Sequence, residues 1–331
     1  MVKSKRALAI KNSSIILILI LALVFLFLTS ISLGSVRFDF RTVLLTIFGN
    51  GTELSNNIIF NLRFPRAVLN ILVGCNLAIS GALLQVVMRN PLADPGLTGI
   101  SSGGAFAAIS IMLLFPTLTN YVPLFAFFGS AITCFLVYGM AWKNGLDPVR
   151  IILAGVAINS ILGSGTSVLS LLFSDRIQGV LLWSNGSMSG KNINHAMLLL
   201  PYSVVGVVLA FLCIKHANVL QLGDDMAKNL GKNPNITRLM ISAVAAFLAG
   251  ISVAVVGIIG FVGLVVPHVS RMIVGSDYKY LLPTSAILGA ALVVFADTFA
   301  RTAFTPLELP VGVIMSAIGG PVFLWMLRRK G

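Results

Sequence analysis

The sequence predicts an all-α integral membrane protein: a single transmembrane domain over residues 1–331, with about ten transmembrane helices and both termini in the cytoplasm. Three observations carry this. The chain is 57% hydrophobic and 10% charged, with a mean hydropathy of +0.98, whereas soluble domains carry about 25% charge. Apolar runs recur along its whole length, most of them near the ~20 residues a helix needs to cross a bilayer. Lysine and arginine are divided unequally between alternate connections, as the positive-inside rule requires.

The runs are 15–33, 64–87, 97–115, 121–142, 150–173, 194–215, 238–257, 259–275, 280–297 and 309–327. Lys3, Lys5, Arg6 and Lys11 precede the first, and no A-x-A site follows it, so it reads as a span and not a cleaved signal. With the N-terminus inside, 16 of the cations fall on inner segments; Arg37, Arg41, Arg63, Arg66, Arg176, Lys191 and Arg301 fall outside. This describes a multi-pass membrane protein. The net charge of +13 is then a topological signal, and no basic stripe with interleaved aromatics suggests nucleic acid. Cys75, Cys134 and Cys213 lie inside apolar runs without a C-x-x-C pair and read as inert.

The connections carry their own elements. In the outer segment 34–63, Phe38, Phe40, Val43, Leu44 and Phe48 predict a short interfacial helix, after which Arg63-Phe-Pro-Arg66 opens the second span. Outer segment 174–193 predicts a short helix ending near Asn185-Gly186. The longest inner connection is 216–237. There Asp224 or Asp225 can cap a helix that Gly231 ends, with Met226, Ala227 and Leu230 on one face. Such an amphipathic helix suits docking on a cytoplasmic partner.

A polar hinge, Arg89-Asn-Pro-Leu-Ala-Asp-Pro-Gly-Leu-Thr-Gly-Ile-Ser-Ser-Gly-Gly104, separates the second and third runs. Pro91 and Pro95 cannot continue a helix. Arg89, Asn90 and Asp94 are costly in lipid, while Gly99 and the small residues after it allow another backbone to approach closely.

The pattern excludes several functions. All ten carboxylates lie at or near span ends or in connections, Asp297 and Glu308 included, which argues against an ion-coupled secondary transporter with an intramembrane relay. Gly186-Ser-Met-Ser-Gly-Lys191 spaces its glycines one residue too short for a phosphate loop, and Asn192 replaces its Ser or Thr. Gly99-Ile-Ser-Ser-Gly103 matches G-x-S-x-G, but a hinge and not a strand precedes it, and His195 and His216 fall on opposite faces. The chain therefore reads as a non-enzyme with no cofactor or metal of its own. In the fifth run Asn159, Ser160, Ser164, Thr166, Ser167 and Ser170 accompany three glycines without a charge. They suit either helix–helix hydrogen bonding or a pore wall.

Three stretches also resemble a known family: the hinge; Gly257-Ile-Ile-Gly-Phe-Val-Gly-Leu-Val-Val-Pro-His268 with Arg271; and Glu308-Leu-Pro-Val-Gly-Val-Ile314 followed by Gly319-Gly-Pro-Val-Phe-Leu-Trp325. They look like the signatures of FecCD-type permeases, the type II membrane subunits of ABC importers for ferric siderophores, haem and cobalamin. The resemblance implies the same ten-span layout and a pore formed with a second permease chain, identical or paralogous. It implies ATPase subunits that hold ATP and magnesium beneath the membrane, and a substrate-binding protein outside.

Residue by residue, it makes Arg89, Asn90, Pro91, Asp94, Pro95, Gly99, Gly263, Pro267 and His268 signature positions, His268 with a structural or gating role. The fifth span (Asn159, Ser160, Ser164, Ser167) falls on the translocation path, and Asp147, Pro148 and Val149 near the cytoplasmic gate. Gly223, Ala227, Leu230 and Gly231 match the segment that couples to the ATPase. Arg63 and Arg301, read as exposed outer cations, match arginines that pair with glutamates of the binding protein. Ferric siderophore is the first expectation for the cargo, with haem and cobalamin as alternatives.

Overall fold

The computed structural model describes residues 2–34, 36–143, 145–305 and 307–329, with side chains from Ile10 to Trp325 and at Arg328. The cations Lys3, Lys5, Arg6, Arg329 and Lys330, used above for orientation, lie outside the residues whose side chains are described. In chain order the helices are α1 (Val2–Ser32), α2 (Phe40–Ile47), α3 (Glu53–Asn56), α4 (Phe64–Val87), α5 (Ile100–Leu114), α6 (Val122–Ala141), α7 (Pro148–Leu172), α8 (Ile177–Ser184), α9 (Ile193–Leu212), α10 (Ile214–Gln221), α11 (Asp224–Asn229), α12 (Pro234–Val256), α13 (Val262–Val274), α14 (Tyr278–Thr302) and α15 (Val311–Arg329).

Each of the ten apolar runs contains a helix. Among the described residues seven helical segments are long and apolar enough to cross a membrane; Ile100–Leu114, Val262–Val274 and Val311–Trp325 are shorter apolar helices. Two of these short helices have a common cause. Non-helical backbone precedes each inside the protein: residues 88–99 before α5 and 257–261 before α13. Unpaired backbone groups are too costly to face lipid, so such segments persist only under protein cover. Met88, Ala93, Pro95 and Thr98 are accordingly buried, as are Gly257 and Ile259.

The core is organised on α4, which packs against α9, α12, α13 and α14. Of its apolar window 78% is buried, against 11% for α1 and 17% for α7, so α4 is interior and the other two are peripheral. Gly74 and Gly289 let α4 and α14 cross at backbone contact; a Cβ on either would overlap the other's main chain. Asn76 on α4 ties three helices together, donating to Ser203 Oγ on α9 at 2.8 Å and to Ser252 Oγ on α12 at 3.2 Å.

Two boundaries differ from the sequence reading. The second span does not open at Arg63: helix continues from Glu53 through a π-helical stretch, Asn57–Arg63. Pro65 has no N–H to return to the Asn61 carbonyl, which accounts for the wider turn just before it. The helix of the ninth apolar run, α14, runs to Thr302 instead of stopping at 297, which puts Asp297 inside it, 1% exposed. The interfacial helix is present as α2, with Val43 buried and Phe40, Leu44 and Phe48 exposed. The second outer helix is α8, followed by Asn185 as its C-cap and Gly186 at φ 61°.

Candidate functional site

The hinge is a chain of local turns. Arg89 leaves α4 at φ 47°, a left-handed conformation rarely adopted by a long side chain. Asn90 Oδ1 accepts from Leu92 N at 2.9 Å, and Pro91 lies within that turn. Asp94 caps a 3₁₀ turn, Pro95–Thr98, by accepting from Gly96 N at 2.8 Å. Gly99, at φ 76°, then starts α5. Burial pushes the Asp94 carboxyl up to about 6, against the opposing pull of the Gly96 N–H.

Helix α7 is fastened to this hinge at two positions one turn apart. A Cβ on Gly155 would overlap the Leu97 carbonyl oxygen, so only glycine permits the contact. Asn159 Nδ2 donates to Gly96 O at 2.8 Å, and its Oδ1 accepts from Ser102 Oγ at 2.5 Å. Asn159, half-buried, is therefore a fastening to the hinge, the helix–helix bonding that was one of the two sequence readings of this run. Ser160, Ser164 and Ser167 do face outward, on an exposed face shared with Leu153 and Leu171. Each serine hydroxyl donates to the carbonyl four residues back, at 2.8–3.0 Å, so each offers its surroundings acceptor capacity only. Asp147 Oδ1 accepts from Val149 N and Arg150 N, capping α7 with Pro148 in its first turn and Val149 exposed.

The other end of the hinge touches the inner connection. Asp224 was a candidate cap, but Gly223 takes the N-cap position of α11. The Asp224 carboxylate instead bridges Arg89 at 2.5 Å and Arg238 at 2.7 Å. Arg238 is 2% exposed and also donates to Leu146 O. Gly231, at φ 72°, ends α11 as expected, with Gly231 N and Lys232 N returning to the Lys228 and Ala227 carbonyls. Ala227 is buried under the helix while Met226 and Leu230 stand exposed on it. Ion pairs and hydrogen bonds thus link α11, the hinge and α7 in sequence.

The second signature stretch meets α4. Pro267 lies within α13 and has no N–H for the Gly263 carbonyl one turn earlier. Gln85 on α4 supplies donors instead, with Nε2 at 3.4 Å from Gly263 O and 3.2 Å from Leu264 O. Gln85 Oε1 in turn accepts from Arg271 Nη1 at 3.1 Å. His268 is half-buried beside this contact. The sequence reading missed Gln85, although a glutamine deep in an apolar run was a usable signal.

Arg63 and Arg301 require a correction, since both are only 7% exposed. Arg63 donates to the carbonyls of Ile31 (2.7 Å), Ser32 (3.0 Å) and Val36, and Arg301 to those of Leu33 (2.8 Å) and Ser30. The last carbonyls of a helix lack intrahelical partners and carry its negative end, so two guanidinium groups fit there. Both cations are taken up by the end of α1 and are not displayed outward. Arg66 is engaged as well, pairing with Asp297 at 3.0 Å and Glu308 at 2.8 Å, while Asn70 donates to Asp297 at 2.7 Å.

The G-x-S-x-G match starts α5 after a 3₁₀ turn, without the strand an esterase elbow needs.

Comparison with known proteins identifies the family and the fold. The model of the FecCD transport family matches residues 21–329. The chain is 40% identical over 272 residues to the Fe(3+)-citrate import system permease protein YfmD of Bacillus subtilis, covering 82% of this chain and 81% of the relative. It is 39% identical to the hemin transport system permease protein HmuU of Yersinia pestis, covering 92% of this chain and 92% of that one. A solved metal-chelate type ABC transporter, in an inward-facing conformation, superposes with a TM-score of 0.87 at 26% identity, covering 96% of this chain and 99% of that one. The chain belongs to the FecCD transport family and is a multi-pass membrane permease.

Proposed function

We propose that this chain is the membrane-spanning subunit of an ATP-driven importer carrying a ferric siderophore into the cytoplasm. The observation that carries the reading is the connected path from α11 through Asp224, Arg89 and the hinge to α7, with its outward-facing serines. An ATPase subunit seated on α11, against exposed Met226 and Leu230, would move the hinge and with it a pore wall. In this reading ten helices cross the membrane with both termini inside. Two permease chains enclose the pore between their α7 faces, and a binding protein delivers cargo from outside. ATP and magnesium belong to the partner ATPase.

Relatives named for iron citrate, hydroxamate, haem and cobalamin favour a chelated metal as cargo. Ferric siderophore is the first choice, with haem and cobalamin as alternatives. Uptake by cells with and without the gene tests it, using radiolabelled ferric hydroxamate, ferric catecholate, ferric carboxylate siderophore, haem and cobalamin. Loss of one ferric siderophore uptake supports the reading; loss of haem or cobalamin uptake alone replaces the cargo. Uptake that survives ATP depletion but collapses with a protonophore would refute ATP drive.

A further inference from the structure

A groove between α6 and α12 has no role in the pathway just described. Its exposed lining is Ala131, Phe135, Leu239 and Ala243, and the buried Ser130, Tyr138, Ser242 and Gly250 lie beneath them. It is almost wholly apolar, about 320 Å³ in volume, and it faces away from the α4 core, with Phe135 76% exposed. The lining on α6 runs from Phe127 to Tyr138. At ~1.5 Å per residue this is roughly 16 Å, about half the ~30 Å hydrocarbon thickness of a bilayer. The groove therefore has the length of one acyl chain in one leaflet.

The same two helices lead into a cleft of the opposite character. Beyond Tyr138 and Leu239 lies a cavity of about 740 Å³ lined by six cations, Arg89, Lys143, Arg150, Lys228, Lys232 and Arg238, and two carboxylates. Both carboxylates are engaged: Asp147 caps α7 and Asp224 bridges Arg89 and Arg238. Lys143, Arg150 and Lys232 form no ion pair among the described residues, and all three are exposed. Trp142, 51% exposed at the end of α6, has the amphipathic ring that favours headgroup depth. An apolar groove one leaflet deep, ending in an uncompensated cationic cleft, is complementary to a lipid with an anionic head.

We propose that α6 and α12 hold an anionic phospholipid of the inner leaflet, its acyl chain along Ala131 and Ala243 and its phosphate among Lys143, Arg150 and Lys232. The inner leaflet follows from the cation asymmetry of the sequence. Although Arg150 stands on the first turn of α7, the site uses none of that helix's serines, so it stands whatever cargo the pore carries.

Native mass spectrometry of the delipidated full chain tests the site, titrating dioleoyl-phosphatidylglycerol against dioleoyl-phosphatidylcholine. One phosphatidylglycerol should bind in preference. A basic residue at a membrane surface is worth roughly a fivefold preference, so Lys143→Gln with Lys232→Gln should lower it about 25-fold. Ala243→Phe, which fills the groove from an exposed position, should weaken both lipids while leaving elution and helical content unchanged. Inorganic phosphate at millimolar concentration should displace neither lipid. An unaltered preference in the lysine variant overturns the proposal. So does equal retention by Ala243→Phe, or displacement by phosphate, which would make the cleft a free-anion site. An acidic protein surface as the true occupant would show as no lipid preference in the wild-type chain, which also overturns it.

Discussion

The two ends of the molecule use arginine in opposite ways. At the end predicted to lie outside, Arg63, Arg66 and Arg301 are buried or nearly so, and each engages a long helix: the end of α1 for two of them, Asp297 of α14 for the third. At the end predicted to lie inside, Arg89 is 43% exposed and shares the Asp224 carboxylate of a six-residue helix with Arg238 of α12, itself 2% exposed, and the hinge that Arg89 opens holds a single 3₁₀ turn. Buried ion pairs fix geometry, because separating them strands a charge away from water. Half-exposed pairs contribute little to stability and separate cheaply. The outer clamps are thus built to stay, as is the Arg238 link of α11 to α12, while the Arg89 link of α11 to the hinge is the one that separates cheaply.

Breaking the outer end should be costly. Asp297→Ala removes the main partner of Arg66 from a site where the carboxylate is 1% exposed. A loss near the lower end of ~3–5 kcal/mol is expected, since Glu308 still pairs with Arg66, and thermal unfolding in detergent would read it. Next comes Arg301→Gln, which weakens charge-assisted bonds to the end of α1. About 1.5–3 kcal/mol should be lost, with faster amide exchange confined to the last turn of α1. Charge reversal at Arg63 or Arg301 should then lower the yield of folded chain before it affects delivery by a binding protein. If delivery fails while stability and exchange stay normal, the outer arginines are displayed to a partner after all.

Breaking the inner end should leave the fold almost intact. Arg89→Gln should cost about 1 kcal/mol or less yet lower the substrate imported per ATP hydrolysed in a reconstituted transporter. If uptake falls only in step with ATPase activity or assembly, Arg89 does not link α11 to the hinge. The smallest effect concerns pH. Burial raises the Asp94 carboxyl from 3.8 to about 6, so its contribution to stability is full below pH 4 and is lost as pH rises through about 6. Asp94→Asn keeps an oxygen to accept from Gly96 and should flatten that part of the stability–pH curve. An unchanged curve would show the carboxyl to be well solvated.

What the sequence revealed and what it hid divide along the same lines. Local periodicity and punctuation located the ten apolar helices, the hinge, α2, α8 and the stop at Gly231, because each depends on residues a few positions apart. The clamp on α1 was not legible: Arg63 is 32 residues from Ile31, and Arg301 is 268 from Leu33. A lone arginine near a span end defaults to exposure until the chain is folded. Asn159 was seen as polar lining for the same reason, its partners Gly96 and Ser102 being 63 and 57 residues away. Gln85 escaped because its need arises on another helix, where Pro267 leaves a carbonyl without a partner.

The serine stripe of α7 has a bearing on how fast cargo could travel. With every hydroxyl proton of Ser160, Ser164 and Ser167 directed to its own helix, a chelate passing along α7, as the proposed function has it, would find no donor there for its peripheral oxygens. Nor do those three residues carry a charge to hold an ion. Such a surface wets its visitor without gripping it, so residence along it would be brief and escape nearly barrierless. Transit would then be timed by the opening of the hinge, and friction along the wall would matter little.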